Sequence, residues 1–379
     1  MTDPTAQEIL AELVAIPGLP GQSNIAMADA VTARLTGLGL RVRRLPGPAP
    51  DRVNLFASIG PADRPGVILS GHMDVVPVEG QAWTTDPFRL TRRDGRLYGR
   101  GTTDMKGFLA CMLAAVPLFQ AKALRRPVHL AFSCDEEIGC RGVPYLIRAL
   151  PDLCALPEAC IVGEPSAMQP VLSHKGKLAV EIAFTGRPAH SSDPGAGLNA
   201  LYAAASLARL VERAAMGLAR GPRRDGRFAP DHSTLVAGVL RAGTAVNIIP
   251  DHARLALEAR LIPGDAADAV MAPILAAAKA MVAKGRALAC EITELSRYPA
   301  LPPEAPDLAA RLSGWTGQAV RQSVSYGTEA GLFHAAGIPS VICGPGEIGR
   351  AHRPDEYITE AELSGCMAML ARLAEDLAQ

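Results

Sequence analysis

The rhythm of strands and helices changes once along this chain and then changes back, and that double switch constrains the fold more than any other feature. In the first part, short β-like runs at Gly66–Ser70, Pro127–Cys134 and Ala159–Gly163 alternate with helical patterns at Thr5–Val14, Asn24–Leu38, Lys106–Ala121 and Val143–Ala149. Such alternation predicts an α/β domain with a mostly parallel sheet and helices on both faces. From Lys177 the pattern differs. Lys177–Phe184 alternates as a half-exposed strand, and Leu198–Leu218 is a long helix rich in Ala and Leu. Ser233–Leu240 and Ala253–Leu261 read as strands, Asp265–Lys284 as a helix and Ala287–Leu295 as a strand. The order β-α-β-β-α-β is that of a small ferredoxin-like α+β sandwich. After Pro299 the α/β pattern resumes, with helices at Ala309–Ser313, Glu329–Ala336 and Glu360–Leu377 and a strand at Ser340–Gly344. The second domain is therefore expected to interrupt the first, giving segments 1–175, 176–297 and 298–379.

A length of 379 residues suits two domains, each with its own core. The 38 basic and 38 acidic residues cancel, which argues against a nucleic-acid or membrane-surface partner. The cluster Arg41–Arg44 reads as a solvated strand edge. The opening residues lack a cationic start and a long apolar run, so no signal peptide or membrane span is expected. Eight cysteines without a CxxC pair or regular spacing fit reduced core thiols and a cytoplasmic location.

Acids and histidines cluster immediately after the strands, and they carry the chemistry. Ile68-Leu69-Ser70 runs into Gly71-His72-Met73-Asp74, the strand ending at Cys134 into Asp135-Glu136-Glu137, and the strand ending at Gly163 into Glu164. Asp104 precedes a helix, and His352 comes after the strand that ends near Gly344. Ligands of open α/β sheets bind beyond the carboxyl ends of strands, so these side chains are expected in one crevice. His72, Asp104, Glu137, Glu164 and His352 supply nitrogen and carboxylate donors and no thiolate, a set that suits zinc, cobalt or manganese. Five donors exceed one tetrahedral ion. They suit two ions that share a bridging carboxylate and a bridging water. Glu136, next to Glu137, points elsewhere on an extended segment and is free to act as general base. Asp74 is placed to accept the second ring N–H of His72 and fix its orientation. His129, inside an apolar run, reads as a core histidine. Gly99-Arg100-Gly101 reads as a turn and not as a phosphate loop.

These segments resemble the di-zinc family that includes acetylornithine deacetylase, succinyl-diaminopimelate desuccinylase, aminoacylase and glutamate carboxypeptidases. The resemblance rests on Ser70 to Pro77, Gly99 to Gly107, Asp135-Glu136-Glu137, Gly163 to Ser166 and Ala351 to Glu356. It implies two zinc ions per chain, one held by His72 and Glu164, the other by Glu137 and His352, with Asp104 bridging. It implies Asp74 as the orienter of His72 and Glu136 as base and acid. It also implies that the inserted sandwich is a lid and dimerisation domain. There, His190 in Gly186 to Ser192 resembles the oxyanion-stabilising histidine, and Asn247 and Arg260 resemble substrate contacts. Lys175 is a further candidate for a substrate carboxylate. Gly327-Thr328-Glu329-Ala330 is most similar to the acetylornithine deacetylase branch, which makes Thr328 and Glu329 candidate substrate contacts. The expected reaction is hydrolysis of N2-acetylornithine to ornithine and acetate, as in arginine biosynthesis, with Glu329 facing the substrate ammonium. The alternatives are succinyl-diaminopimelate, another N-acyl amino acid or a dipeptide and, more remotely, a non-catalytic binding protein on this scaffold.

Overall fold

The structure is a computed structural model and describes residues 5–61 and 63–379. The chain forms two compact units. One holds the chain up to Ser173 together with Leu301–Ser323 and Thr328–Gln379, and the other holds His174–Ala300 with Val324–Gly327.

The first unit opens with helices α1 (Ala6–Val14) and α2 (Ile25–Gly37), then strands β1 (Arg43–Pro46), β2 (Val53–Ile59) and β3 (Val67–His72). Short strands β4 (Thr91–Arg93) and β5 (Arg96–Tyr98) lead through a tight turn at Thr102–Lys106 into α3 (Gly107–Ala114) and α4 (Val116–Gln120). Next come β6 (Val128–Ser133), α5 (Val143–Ala149) and β7 (Ala159–Pro165). The second unit contains β8 (Gly176–Thr185), α6 (Ala200–Arg220), β9 (Thr234–Ala242), β10 (His252–Leu261), α7 (Ala267–Ala283) and β11 (Ala289–Tyr298). The first unit is completed by α8 (Pro306–Thr316), α9 (Ala330–Ala335), β12 (Ser340–Gly344), β13 (Tyr357–Thr359) and α10 (Glu360–Leu377).

Six strands of the first unit form one sheet in the order β1-β2-β6-β3-β7-β12. The four neighbours β6, β3, β7 and β12 run parallel, and β2 and β1 add an antiparallel edge. Every residue of β3, β6, β7 and β12 is buried, so both faces are covered, as the unbroken Val/Ile/Leu runs require. The apolar run Thr102–Gln120 is long enough on composition to span a membrane, but it is 83% buried inside this unit, as a core helix is. Capping boxes start α1 at Thr5/Glu8 and α10 at Thr359/Glu362, each satisfying backbone N–H groups that the first turn leaves open.

The second unit carries a four-stranded antiparallel sheet ordered β11-β8-β10-β9. β10 alternates in burial along much of its length, with Ala253, Leu255, Leu257, Ala259 and Leu261 inward. Helix α6 buries Ala200, Ala203, Ala204, Leu207 and Val211, the 3–4 spacing of one face, against this sheet. Strand β9 is an edge, and Val236, Val239 and Leu240 are exposed on it.

Candidate metal centre

Four of the sequence-predicted residues reach the centre from the carboxyl ends of neighbouring parallel strands. His72 ends β3, Glu136 and Glu137 follow β6, and Glu164 lies near the end of β7. His352 comes from the loop after β12. That loop approaches closely because Gly344 has no side chain: a Cβ there would lie 1.9 Å from the Gly163 carbonyl oxygen. Asp104 comes from the tight turn before α3.

Asp104 sits between the two histidines. Its Oδ1 is 3.0 Å from His72 Nε2, and its Oδ2 is 3.2 Å from His352 Nε2. His352 Nε2 is also 3.2 Å from Glu137 Oε2, and His72 Nε2 is 3.7 Å from Glu164 Oε1. One carboxylate thus offers an oxygen to each of two donor groups. The two adjacent glutamates diverge, although the segment is not the extended one expected: a turn begins here, with the N–H groups of Gly139 and Cys140 on the Glu136 carbonyl. The donor atoms of Glu136 group with those of His72 and Glu164, and those of Glu137 with His72 and Asp104, each set within 4.8 Å.

The turn carrying Asp104 is held by Glu356. Its Oε1 accepts the backbone N–H groups of Thr103 at 2.8 Å and Asp104 at 3.1 Å. Its Oε2 accepts Gly101 N–H at 3.1 Å and Arg100 Nη1 at 2.7 Å. Both charged partners are 1% exposed, so removing either would leave a buried charge alone. Glu356 therefore ties the His352 loop to the Asp104 turn, a role the sequence motif did not disclose.

The expected part for Asp74 needs correction. His72 Nδ1 bonds the backbone carbonyl of Asp74 at 2.8 Å, and the Asp74 carboxylate stands off at 3.8 Å. That carboxylate instead accepts the N–H of Glu136 on Oδ1 at 3.1 Å and the N–H of Glu137 on Oδ2 at 3.0 Å. Two residues after His72, the backbone oxygen reaches the ring more directly than the side chain does. The carboxylate is left to position the glutamate loop.

Thr328 and Glu329 also depart from expectation. Both are buried, Glu329 at 1% exposure, and the Glu329 Oε2 accepts from Ser70 Oγ at 3.0 Å. Ser70 is two residues before His72, so Glu329 braces the strand that delivers a donor, while its Oε1 is buried with no hydrogen-bond partner among the described residues. Thr328 Oγ1 accepts the N–H of Ala330 and so starts α9.

The remaining candidates lie in the second unit. His190 is exposed, and its Nδ1 accepts the Ser192 N–H at 3.1 Å and lies 2.7 Å from Ser192 Oγ. With Nδ1 an acceptor, the neutral ring carries its proton on Nε2. Asn247 is exposed, and its carbonyl accepts the Ser191 N–H at 3.0 Å, which joins the two loops. Arg260 is held by Glu258 Oε1 at 2.9 Å and by Tyr298 Oη at 2.7 Å. Lys175 is not available to a substrate. Its Nζ donates to the carbonyls of Pro230 at 2.7 Å and His232 at 2.8 Å, and the residue is 1% exposed.

The first-unit centre is electrostatically unusual. Burial pushes the Glu136 carboxyl up to about 8; His72 opposes the shift and Glu137 adds to it. Burial likewise drives Glu164 well above, and Glu137 above, the ordinary carboxylate range, with Asp104 adding to both. Asp104 and Glu137 hold the His352 imidazolium up to about 10. Glu137 Oε1 is buried with no hydrogen-bond partner among the described residues. Acids packed this closely need a compensating positive charge, and imidazole with carboxylate is the donor chemistry of zinc, cobalt or manganese. The residues fit a divalent metal centre.

Comparison with known proteins agrees with this geometry. Residues 68–376 match a family described as Peptidase family M20/M25/M40. The chain belongs to that family. An acetylornithine deacetylase of Myxococcus xanthus is 33% identical over 378 residues, which span 98% of this chain and 97% of that protein. An M20 family metallo-carboxypeptidase of Sulfolobus solfataricus superposes with a TM-score of 0.77 at 19% identity, covering 99% of each chain. A Bacillus subtilis M20 protein described as a dinuclear metal binding peptidase superposes with a TM-score of 0.66 at 19% identity, over 97% of this chain and 96% of that one. As a member of the M20 family the chain is a metal-dependent peptidase or amidohydrolase, and the non-catalytic alternative is set aside.

Proposed function

We propose that this chain hydrolyses the amide of an N-acyl amino acid with two divalent ions, most simply zinc, and that N2-acetylornithine is its substrate. The observation that carries the two-ion reading is the split of Asp104 between His72 and His352. In this reading His72 and Glu164 hold one ion, Glu137 and His352 the other, and Asp104 serves both. A bound pair of this kind acidifies water and polarises the acyl carbonyl.

The side chains do the rest. Glu136, grouped with His72 and Glu164 but free to act as the base, takes a proton from the attacking water and returns it to the leaving amine. Asp74 fixes the backbone from which Glu136 works. His190 offers its Nε2–H to the tetrahedral oxyanion, and Asn247 belongs to the loop beside it. Arg260, a half-buried guanidinium already set by Glu258, receives the substrate carboxylate. The second unit serves as the lid and, through its exposed β9 edge, as the contact with a second copy.

The choice of ornithine rests on similarity to whole-length relatives named acetylornithine deacetylase, since Glu329 is buried and bonded to Ser70. It is tested by kcat/KM on N-acetylornithine, N-acetylmethionine, N-succinyl-diaminopimelate and a dipeptide. N-acetylornithine should lead by at least about tenfold, a difference of about 1.4 kcal/mol in transition-state binding. A lead by any of the others reassigns the substrate within the same chemistry.

A further inference from the structure

Glu136 is held at two points, and the second involves a residue with no part in the proposed reaction. Its backbone N–H is fixed by Asp74, and its side-chain Oε1 accepts from the thiol of Cys140 at 3.0 Å. Cys140 is 1% exposed and sits four residues beyond Glu136, on a turn closed by the N–H groups of Gly139 and Cys140 to the Glu136 carbonyl at 2.7 and 2.8 Å.

The backbone at this position is informative. Cys140 has φ of +54°, in the left-handed region that glycine adopts freely and that a residue with a Cβ occupies at a cost. A turn needs no thiol there, and glycine would make it more easily. The Cβ is nonetheless present, and it places the sulfur on the carboxylate that moves the proton. Burial, with Glu136 adding, raises the thiol well above its ordinary value, so it stays protonated and remains a donor. Cys111 instead reaches a backbone carbonyl in α10, and Cys343 reaches Met168 and Met369.

We propose that Cys140 is a positioning residue for the hydrolysis, holding the Glu136 carboxylate in the rotamer from which it exchanges its proton. This rests on Glu136 being the base. The thiol forms no bond to substrate and undergoes no chemistry. It donates one S–H···O hydrogen bond to Oε1 and thereby narrows the orientations open to the carboxylate.

The test uses the full-length, zinc-reconstituted protein and compares Cys140→Ala, Cys140→Gly and Cys140→Ser, each with and without Glu136→Gln. Alanine keeps the backbone cost and deletes the donor. Glycine relieves the cost and deletes the donor. Serine keeps a donor. Alanine and glycine should each lower kcat by about 3- to 30-fold, less than for an ordinary hydrogen bond to a charged group because a thiol is a weak donor, with KM changed less than about twofold. Serine should recover most of the loss. Cys140→Gly should melt no lower than the parent, which separates the kinetic loss from unfolding. In the Glu136→Gln background Cys140→Ala should cost nothing more, because the thiol acts only through that carboxylate. If Glu136→Gln collapses turnover while alanine and glycine keep the parent kcat, or if alanine costs the same factor in both backgrounds, the positioning role is wrong and the base assignment stands. If Glu136→Gln keeps parent turnover, the base assignment fails and takes this inference with it.

Discussion

Asp74 and Glu136, 62 residues apart in sequence, meet through a hydrogen bond of 3.1 Å from the Glu136 N–H to Asp74 Oδ1. Oδ2 takes the N–H of Glu137 in the same way. One carboxylate at the end of β3 therefore fixes the segment after β6 that carries both the proposed base and a proposed ligand. The carbonyl of the same residue orients His72.

That arrangement separates two parts of residue 74. Asp74→Asn keeps the carbonyl on His72 but replaces one acceptor oxygen by an amide that cannot accept. Metal content should stay near the parent level while kcat falls by about 10- to 100-fold, as for loss of a hydrogen bond to a charged group. Metal analysis beside steady-state kinetics checks this. Lost metal with unchanged turnover per bound metal would return the carboxylate to the service of His72.

The adjacent glutamates should behave differently. Glu136→Gln should lower turnover by about 10²–10⁴-fold and leave metal bound. Glu137→Ala should lose metal, because its Oε2 faces His352 and its Oε1 is buried without a partner among the described residues. The reverse pattern would exchange base and ligand.

Glu329 makes a claim of the opposite kind. Its burial and its bond to Ser70 assign it to the support of β3. Glu329→Gln should therefore lower kcat/KM on N-acetylornithine and on N-acetylmethionine by the same factor, within about threefold, and should lower thermal stability by about 1–3 kcal/mol. A loss confined to N-acetylornithine would restore a contact with the substrate ammonium.

Much of this was readable from the residues, and what was not has physical causes. The Val/Ile/Leu runs of β3, β6, β7 and β12 declared buried parallel strands, and His72, Glu137 and Glu164 stood out because they lie at or just past the ends of three of those runs. Strand β2 went unread because Asn54 interrupts it. That residue is fully buried, and its side chain is used up on Pro46, Gly142 and Cys134. The sheet β13-β5-β4 has three-residue strands, too short to show a period. Asp74, Glu356 and Cys140 act through hydrogen bonds to residues distant in sequence or across a turn, and no spacing in the chain encodes those contacts. The buried partners of Lys175 and Glu329 are equally invisible in the sequence. A charge in a motif looks like a substrate contact until its buried partners are seen.

His190 offers a test of the shared-site reading. If a second copy supplies this histidine, mixing inactive His190→Ala subunits with inactive Glu136→Ala subunits should restore part of the activity after subunit exchange. An intact site then forms in some mixed dimers. Verified mixed dimers with no activity would assign the histidine to its own chain or to no catalytic part.

The most direct test of the central claim is a metal titration. Protein stripped with a chelator is returned to activity by stepwise zinc while N-acetylornithine hydrolysis and bound zinc are measured together. The account predicts no turnover in the stripped protein, binding that saturates at about two ions per chain, and full activity only as the second site fills. Full turnover without metal, or full activity with binding saturated at one ion per chain, would contradict a centre in which Asp104 serves two ions.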